Sequence, residues 1–114
     1  MDVDCGAGGL LLHAVAHARA LGFLAIEGRG IDASPALIGR ARAAAARLSD
    51  PAIGMTFEVG EMLAALREEQ PFPADIVLWP SSAPAALYET AHCLLLEAAD
   101  FVVRGHEPSW RAAA

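Results

Sequence analysis

The sequence predicts an α/β fold in which a mostly parallel sheet lies between two layers of helices. Short apolar runs alternate along the 114 residues with alanine-rich stretches that have helical periodicity. The apolar runs, such as residues 76–79, are continuous, as expected of strands buried on both faces. A repeated strand–helix order requires parallel strands joined by crossover helices. The length allows one domain with one core.

The elements follow one another in a regular order. The apolar runs predict strands at Gly28–Asp32, Met55–Val59, Asp75–Trp79 and Asp100–Val103. The helical spacing predicts helices at Gly9–Leu21, Pro35–Leu48, Glu61–Glu69 and Pro84–Ala98. Ser34 before Pro35 is a strong helix start, because serine caps the helix and proline needs no N–H partner there. Only residues 1–4 precede the first glycines, so we expect the first strand to be shortened to its C-terminal tip.

Composition excludes several classes of protein. Hydrophobic residues make up 55% of the chain and charged residues 19%, which excludes a disordered polar segment. The net charge is −6, so no basic face for nucleic acid is expected, and no polybasic anchor for a membrane. Cys5 and Cys93 lie far apart, the N-terminus is acidic, and charged residues interrupt every apolar run. These features favour a cytoplasmic protein without disulfides.

A glycine-rich segment carries the strongest functional signal. Residues 2–9 read DVDCGAGG and lie between the first strand and the first helix. Glycines allow a sharp turn and a close approach to a ligand, and the helix N-terminus adds free N–H groups. The alternative is a tight strand-to-helix turn that binds nothing.

Two acids follow at the ends of the next two strands. Asp32, in the segment GIDASP, can accept hydrogen bonds from both hydroxyls of a ribose; the alternative is a helix cap. Glu61 follows Gly60, where it can accept from an adenine amino group with Met62 against the ring. The alternative for Glu61 is a glutamate in the first turn of a helix. Ligands of open parallel sheets bind at these carboxyl ends of the strands.

With these motifs the sequence resembles the class I, Rossmann-like S-adenosylmethionine-dependent methyltransferases. DVDCGAGG is similar to their first motif, GIDASPALIGRARAAA to their second-strand acid and helix, VGE to their adenine-side acid, and ADIVLWP to their fourth strand. The resemblance spans residues 2–104. It implies a three-layer α/β/α sandwich of about five strands that binds S-adenosyl-L-methionine. It also implies a methyl acceptor, either a protein side chain or a small molecule.

The resemblance assigns roles to particular residues. Asp2 would lie near the methionine moiety, the glycine loop against the cofactor, Asp32 on the ribose, and Trp79 near the transferred methyl group. The implied cofactor-binding residues are Asp2, Cys5, Gly6, Ala7, Gly8, Asp32, Ala33, Glu61, Met62 and Trp79. In the tail, His106 and Trp110 would border the acceptor pocket; the alternative is an irregular surface segment. No catalytic residue and no metal ligand is implied, and the pair His13 and His17 lacks a third ligand.

Departures from the family leave other interpretations open. Asp4 replaces the first glycine of the loop, the first strand lacks its N-terminal half, and two C-terminal strands of the family are missing. Residues 1–114 would then form a partial domain, which could associate with a partner through its shortened sheet. One alternative is a non-catalytic S-adenosylmethionine-binding remnant or fragment. Another is an NAD-dependent oxidoreductase, whose third small loop residue would fall on Leu11.

Overall fold

The computed structural model describes residues 1–79 and 85–104, which form five strands and four helices. The strands are β1 (Asp2–Val3), β2 (Ile26–Asp32), β3 (Ile53–Val59), β4 (Ala74–Trp79) and β5 (Ala99–Arg104). The helices are α1 (Gly9–Ala20), α2 (Pro35–Ala45), α3 (Met62–Glu69) and α4 (Ala85–Ala98). Every predicted element is present with its ends moved by a few residues, and the fold class is confirmed. The predicted start of the last helix, Pro84, lies outside the described residues.

The sheet has the strand order β3-β2-β1-β4-β5, and every pair of neighbouring strands is parallel. This is the order of a Rossmann-like, doubly wound fold. The chain runs outward from β1 to β3 and then crosses back to β4 and β5. The direction therefore reverses between β1 and β4, which is where ligands of such folds bind.

Two apolar cores lie on opposite faces of the sheet, which makes the three layers. One core joins the sheet to α3 and α4, and its most buried members are Val3, Leu66, Val77, Ala91, Leu95 and Ala98. The other joins it to α1 and α2 through Cys5, Leu11, Val15, Ile38, Ala41 and Phe57. Val3 and Cys5 are two residues apart and would face the same side of a regular strand, but β1 ends at Val3. Asp4 between them has a φ of 64°, and this break in the extended backbone directs Cys5 into the other core.

The central strand β1 is much shorter than its neighbours. Asp2 pairs with Gly30 of β2 and with Leu78 of β4, and both of these strands begin four residues before these partners. Met1 fills one of the four positions, and its ammonium donates a 2.9 Å hydrogen bond to the carbonyl oxygen of Ile76. Among the described residues, the first three positions of β2 and of β4 have no strand between them. The predicted shortening of the first strand is therefore present as a gap inside the sheet.

None of the described helices is both long and apolar enough to cross a membrane.

Candidate functional site

The loop between β1 and α1 has an unusual backbone conformation at alternate residues. Asp4, Gly6 and Gly8 adopt φ angles of 64°, 59° and 83°, in the left-handed region. Glycine takes this conformation without strain, and aspartate tolerates it better than most residues. The left-handed conformation at Asp4 is therefore one that an aspartate can adopt between two short segments of the loop. The loop ends at Gly8, which is the N-cap of α1.

The loop glycines serve two different purposes. A Cβ atom on Gly6 would meet nothing within 4 Å, so the loop is open to solvent at this position. A Cβ on Gly8 would come within 2.9 Å of the Phe57 ring, and a Cβ on Gly30 within 2.5 Å of it. Gly8 and Gly30 therefore leave room for Phe57, whereas the space at Gly6 is open. Phe57 carries no local signal in the sequence, because only the fold brings β3 under the loop.

Asp32 forms hydrogen bonds that link the carboxyl ends of β1, β2 and β3. Its carboxylate accepts a 2.9 Å hydrogen bond from the N–H of Gly6 and a 2.8 Å hydrogen bond from that of Ser34. Its carbonyl oxygen accepts from the N–H of Gly60 at 3.0 Å. The contact with Ser34 is the capping alternative, and the contact with Gly6 holds the glycine loop in place. Each carboxylate oxygen can accept a further hydrogen bond, so the ribose role stays a prediction.

Glu61 is the N-cap of α3. Its two carboxylate oxygens accept hydrogen bonds of 2.9 Å from the N–H groups of Leu63 and Ala64. These two hydrogen bonds lower the pKa of Glu61, since they favour the charged form. Helix α3 therefore begins at Met62 rather than at Glu61. Glu61 is thus the residue before the helix and not the first-turn glutamate of the alternative interpretation, and its adenine role is untested.

A cleft of about 240 Å³ lies beside these strand ends. It brings together residues from four parts of the chain: Asp4, Ile31, Asp32, Ala33, Gly60, Glu61, Met62 and Leu87. Four predicted cofactor-binding residues, from the second and third strand ends, are among them. Asp4 was noticed in the sequence only as a departure from the family, and Leu87 gave no signal. A larger groove of about 530 Å³ between α2 and β3 contains none of the predicted residues.

The remaining predicted residues lie around the cleft rather than in its wall. Asp2, Cys5 and Gly8 are buried, and Gly6 and Ala7 are half-buried in the loop. The side chain of Trp79 is buried in the core, edge-on to the Tyr88 ring at a centroid distance of 5.7 Å. The proposed position of Trp79 beside the transferred methyl group therefore remains a prediction. His106 and Trp110 lie outside the described residues.

Three carboxyl groups surround the glycine loop. Asp2 is only 5% exposed, and within residues 1–79 and 85–104 its side chain forms no hydrogen bond. Burial raises the pKa of Asp2 to about 7, against the opposing effect of the N-terminal ammonium group. Burial, followed by the neighbouring Asp32 carboxylate, raises the pKa of Asp4. The loop therefore lies in a negatively charged environment, although none of the described side-chain oxygens is both fully buried and without a hydrogen-bond partner.

Cys5 lies in this environment as a neutral thiol. Burial, together with the negative charges of Asp2 and Asp32, raises the pKa of Cys5 to about 12. A thiolate at this position is therefore disfavoured despite the nearby helix N-terminus. The Sγ atom instead packs beneath the loop, 3.5 Å from the carbonyl oxygen of Gly6. Cys5 supports the loop and offers no nucleophile.

Among the described residues, no group of three or more histidine, cysteine or acidic side chains is placed to bind a metal ion. Comparison with known protein families, curated proteins and solved structures finds no match for this chain.

Proposed function

We propose that the chain binds S-adenosyl-L-methionine at the carboxyl ends of β1, β2 and β3 and acts as a methyltransferase. The observation that carries the proposal is the acid Asp2, which is only 5% exposed at the start of the glycine loop and has Asp4 and Asp32 as acidic neighbours. A buried acid of this kind is stabilised by a cationic ligand group. S-adenosylmethionine brings two such groups, its sulfonium and its ammonium.

The same charges argue against a dinucleotide cofactor. NAD would place an anionic pyrophosphate against the loop and the start of α1. The acids Asp2, Asp4 and Asp32 surround that loop, and like charges in contact are costly. Leu11 adds a steric objection, because it is 3% exposed in the core between α1 and the sheet. The acidic loop therefore favours a cation over a pyrophosphate.

The described residues fit the cofactor in three places. The open space at Gly6 admits a ligand against the backbone, and Asp2 offers charge to the methionine ammonium. Asp32, Ala33 and Met62 line one cleft, and we propose that this cleft takes the ribose against Asp32 and the adenine against Met62. A bound cofactor supplies an electrophilic methyl group. The protein then has to hold the acceptor in line with that methyl group, which is mainly a matter of position.

Two variants test the site directly. We expect Asp2→Asn and Asp32→Ala each to weaken binding of S-adenosylhomocysteine, by roughly 1–3 kcal/mol. Asp100→Asn is the matched control, since Asp100 is an exposed acid at the start of β5. Isothermal titration calorimetry gives the dissociation constants, and thermal melts verify that each variant folds.

The competing interpretations give different results. If NAD, and not S-adenosylhomocysteine, raises the melting temperature, the proposed function is wrong and the oxidoreductase interpretation replaces it. If Asp2→Asn and Asp32→Ala bind S-adenosylhomocysteine as tightly as the parent chain, the site is misplaced. If the parent binds but transfers no methyl group from labelled S-adenosylmethionine to any acceptor, the non-catalytic interpretation holds.

A further inference from the structure

A stacked group of side chains lies at the carboxyl end of β4 and β5, beyond the acidic loop. Arg104 ends β5 and pairs in register with Trp79 of β4, so both side chains face α4. The Arg104 guanidinium lies over the Tyr88 ring, 4.0 Å from its centroid. His92, one helical turn after Tyr88, lies 5.8 Å from the same ring. The buried Trp79 thus anchors Tyr88, and Tyr88 in turn holds Arg104.

The Arg104 guanidinium lies against an aromatic ring, and no other described side chain takes up its donors. A cation over an aromatic face is attracted by the ring, which fixes the guanidinium plane. Within residues 1–79 and 85–104, Arg104 makes no salt bridge and no hydrogen bond through its side chain. The nearby acid Glu89 is exposed and does not pair with it. The in-plane N–H groups of such an arginine match the two oxygens of a carboxylate.

Charge is distributed unevenly along this edge of the sheet. Asp2, Asp4 and Asp32 lie with β1 and β2, whereas Arg104 lies at the end of β5. The two regions adjoin, because Leu87 lines the cleft and is followed in α4 by Tyr88. A cationic cofactor suits the acidic side, and an anionic group suits the side of Arg104.

We propose that Arg104, held on the Tyr88 ring, binds a carboxylate of the methyl acceptor. The proposal rests on the proposed function, since it names the chemical class of the second substrate. Arg104 acts as a binding and specificity-determining residue and takes no part in the bond exchange. The acceptor is thus an acid, and its carboxylate pairs with the guanidinium edge while the rest of the molecule extends toward the cleft.

Benzoate, a planar carboxylate with an aromatic body, is the probe for this subsite. We expect NMR titration of the ¹⁵N-labelled chain to show saturable shifts at the Arg104 side chain. Arg104→Gln should weaken benzoate binding roughly tenfold, which corresponds to the loss of one charge-assisted pair. Arg40→Gln is the control, because Arg40 is an exposed arginine on α2 and its loss changes the net charge equally. Neither change should alter the affinity for S-adenosylhomocysteine.

The outcomes separate this proposal from the proposed function. Benzoate binding that depends on Arg104 supports the subsite even if S-adenosylhomocysteine fails to bind. Benzoate binding that is equal in the parent, Arg104→Gln and Arg40→Gln would overturn the subsite even if S-adenosylhomocysteine binds. Inorganic phosphate that binds at Arg104 more tightly than benzoate would overturn the assignment to a carboxylate.

Discussion

The carboxyl end of the central strand β1 is hydrogen-bonded to its neighbours, whereas a gap in the sheet lies beyond its amino end. At the carboxyl end, the N–H of Cys5 donates to the carbonyl oxygen of Ile31, and Asp32 accepts from the loop. At the amino end, three positions between β2 and β4 have no strand neighbour among the described residues. The loops beside this end expose Phe23 and Phe72, at 60% and 87%.

This contrast separates ligand binding from stability. The carboxyl end is ordered by short hydrogen bonds that backbone N–H groups donate to the Asp32 carboxylate and to the carbonyl oxygen of Ile31, and such order is what a binding site needs before its ligand arrives. At the amino end, the described residues leave two strand edges without a neighbour, and apolar side chains beside them are exposed, so that another strand could pair there. We therefore expect changes at the amino end to alter the free energy of unfolding, and changes at the carboxyl end to alter affinity.

The largest change in the free energy of unfolding is expected from filling the gap between β2 and β4. An extension Met-Val-Leu-Val placed before Met1 supplies three apolar residues in register with the open positions of β2 and β4. Burial of these side chains and the new backbone hydrogen bonds, less the cost of ordering, should stabilise the fold by on the order of 5 kcal/mol. Urea unfolding at equilibrium measures the change.

The control for this extension is Met-Gly-Ser-Gly, which has the same length but no apolar side chains. Equal stability of the two extended chains would mean that the gap does not accept a strand. Light scattering tests the predicted association through the shortened sheet. If the sheet edges cause association of the parent chain, the apolar extension should reduce its mass to that of a monomer.

The next largest effect is expected from Asp2. Its pKa rises from 3.8 to about 7 on folding, so between these values the folded chain holds a proton that the unfolded chain releases. The resulting stability is present below about pH 4 and is lost as the pH rises through 7, on the order of 4 kcal/mol in all. Comparison of the parent with Asp2→Asn from pH 4 to pH 8 isolates this contribution. Parallel pH profiles for the two chains would show that Asp2 does not titrate in this range.

Asp2 should make the affinity for a cationic ligand rise with pH, although it makes the stability of the fold fall with pH. Binding favours the ionised acid, so S-adenosylmethionine should bind the parent more tightly as the pH rises from 6 to 8. With a pKa near 7, the ionised fraction changes about tenfold over that range. Asp2→Asn should remove this part of the pH dependence, and any that remains belongs to the ligand. An unchanged pH dependence in Asp2→Asn would separate Asp2 from the binding site.

A smaller effect is expected where the loop packs on Phe57. Gly30→Ala would place a Cβ 2.5 Å from the ring and 2.9 Å from the Cys5 sulfur, which should cost about 3 kcal/mol. Gly39→Ala is the control, since a Cβ there meets nothing within 4 Å in helix α2 and should stabilise by up to about 1 kcal/mol. Thermal unfolding compares the two. Similar melting temperatures for the two variants would contradict the close packing under the loop.

The sequence predicted the elements of this fold well for a physical reason. Apolar runs and helical spacing are local signals, and Ser34-Pro35 begins α2 as expected, with the Ser34 hydroxyl accepting from the N–H of Leu37. The preference for right-handed crossovers explains why α1 and α2 lie on one face of this strand order and α3 and α4 on the other, but the order itself is not a local signal. The packing of Phe57 under Gly8 and Gly30 could not be predicted in the same way, because it joins residues that are distant in sequence.

The site was predicted in part. Glycine and acid positions placed Asp32 and Glu61 at strand ends, where the structure has them. Hydrogen-bond partners are not visible in a sequence, so the contact of Asp32 with Gly6 was missed. The proximity of Tyr88 and Arg104 was also missed, since it depends on how α4 returns to β5. Local sequence patterns thus predict where such a site lies, whereas its contacts and its electrostatic environment depend on the three-dimensional fold.

The smallest effect is expected at Glu61, where capping and ligand binding can be separated. Glu61→Ala removes both acceptors for the N–H groups of Leu63 and Ala64 and should destabilise the fold by about 1 kcal/mol. Glu61→Gln keeps one oxygen for capping and should cost less. If Glu61 also accepts from an adenine amino group, Glu61→Gln should weaken S-adenosylhomocysteine binding more than it lowers stability. If both variants change stability alone, Glu61 is a helix cap, and the adenine is recognised by the rest of the cleft.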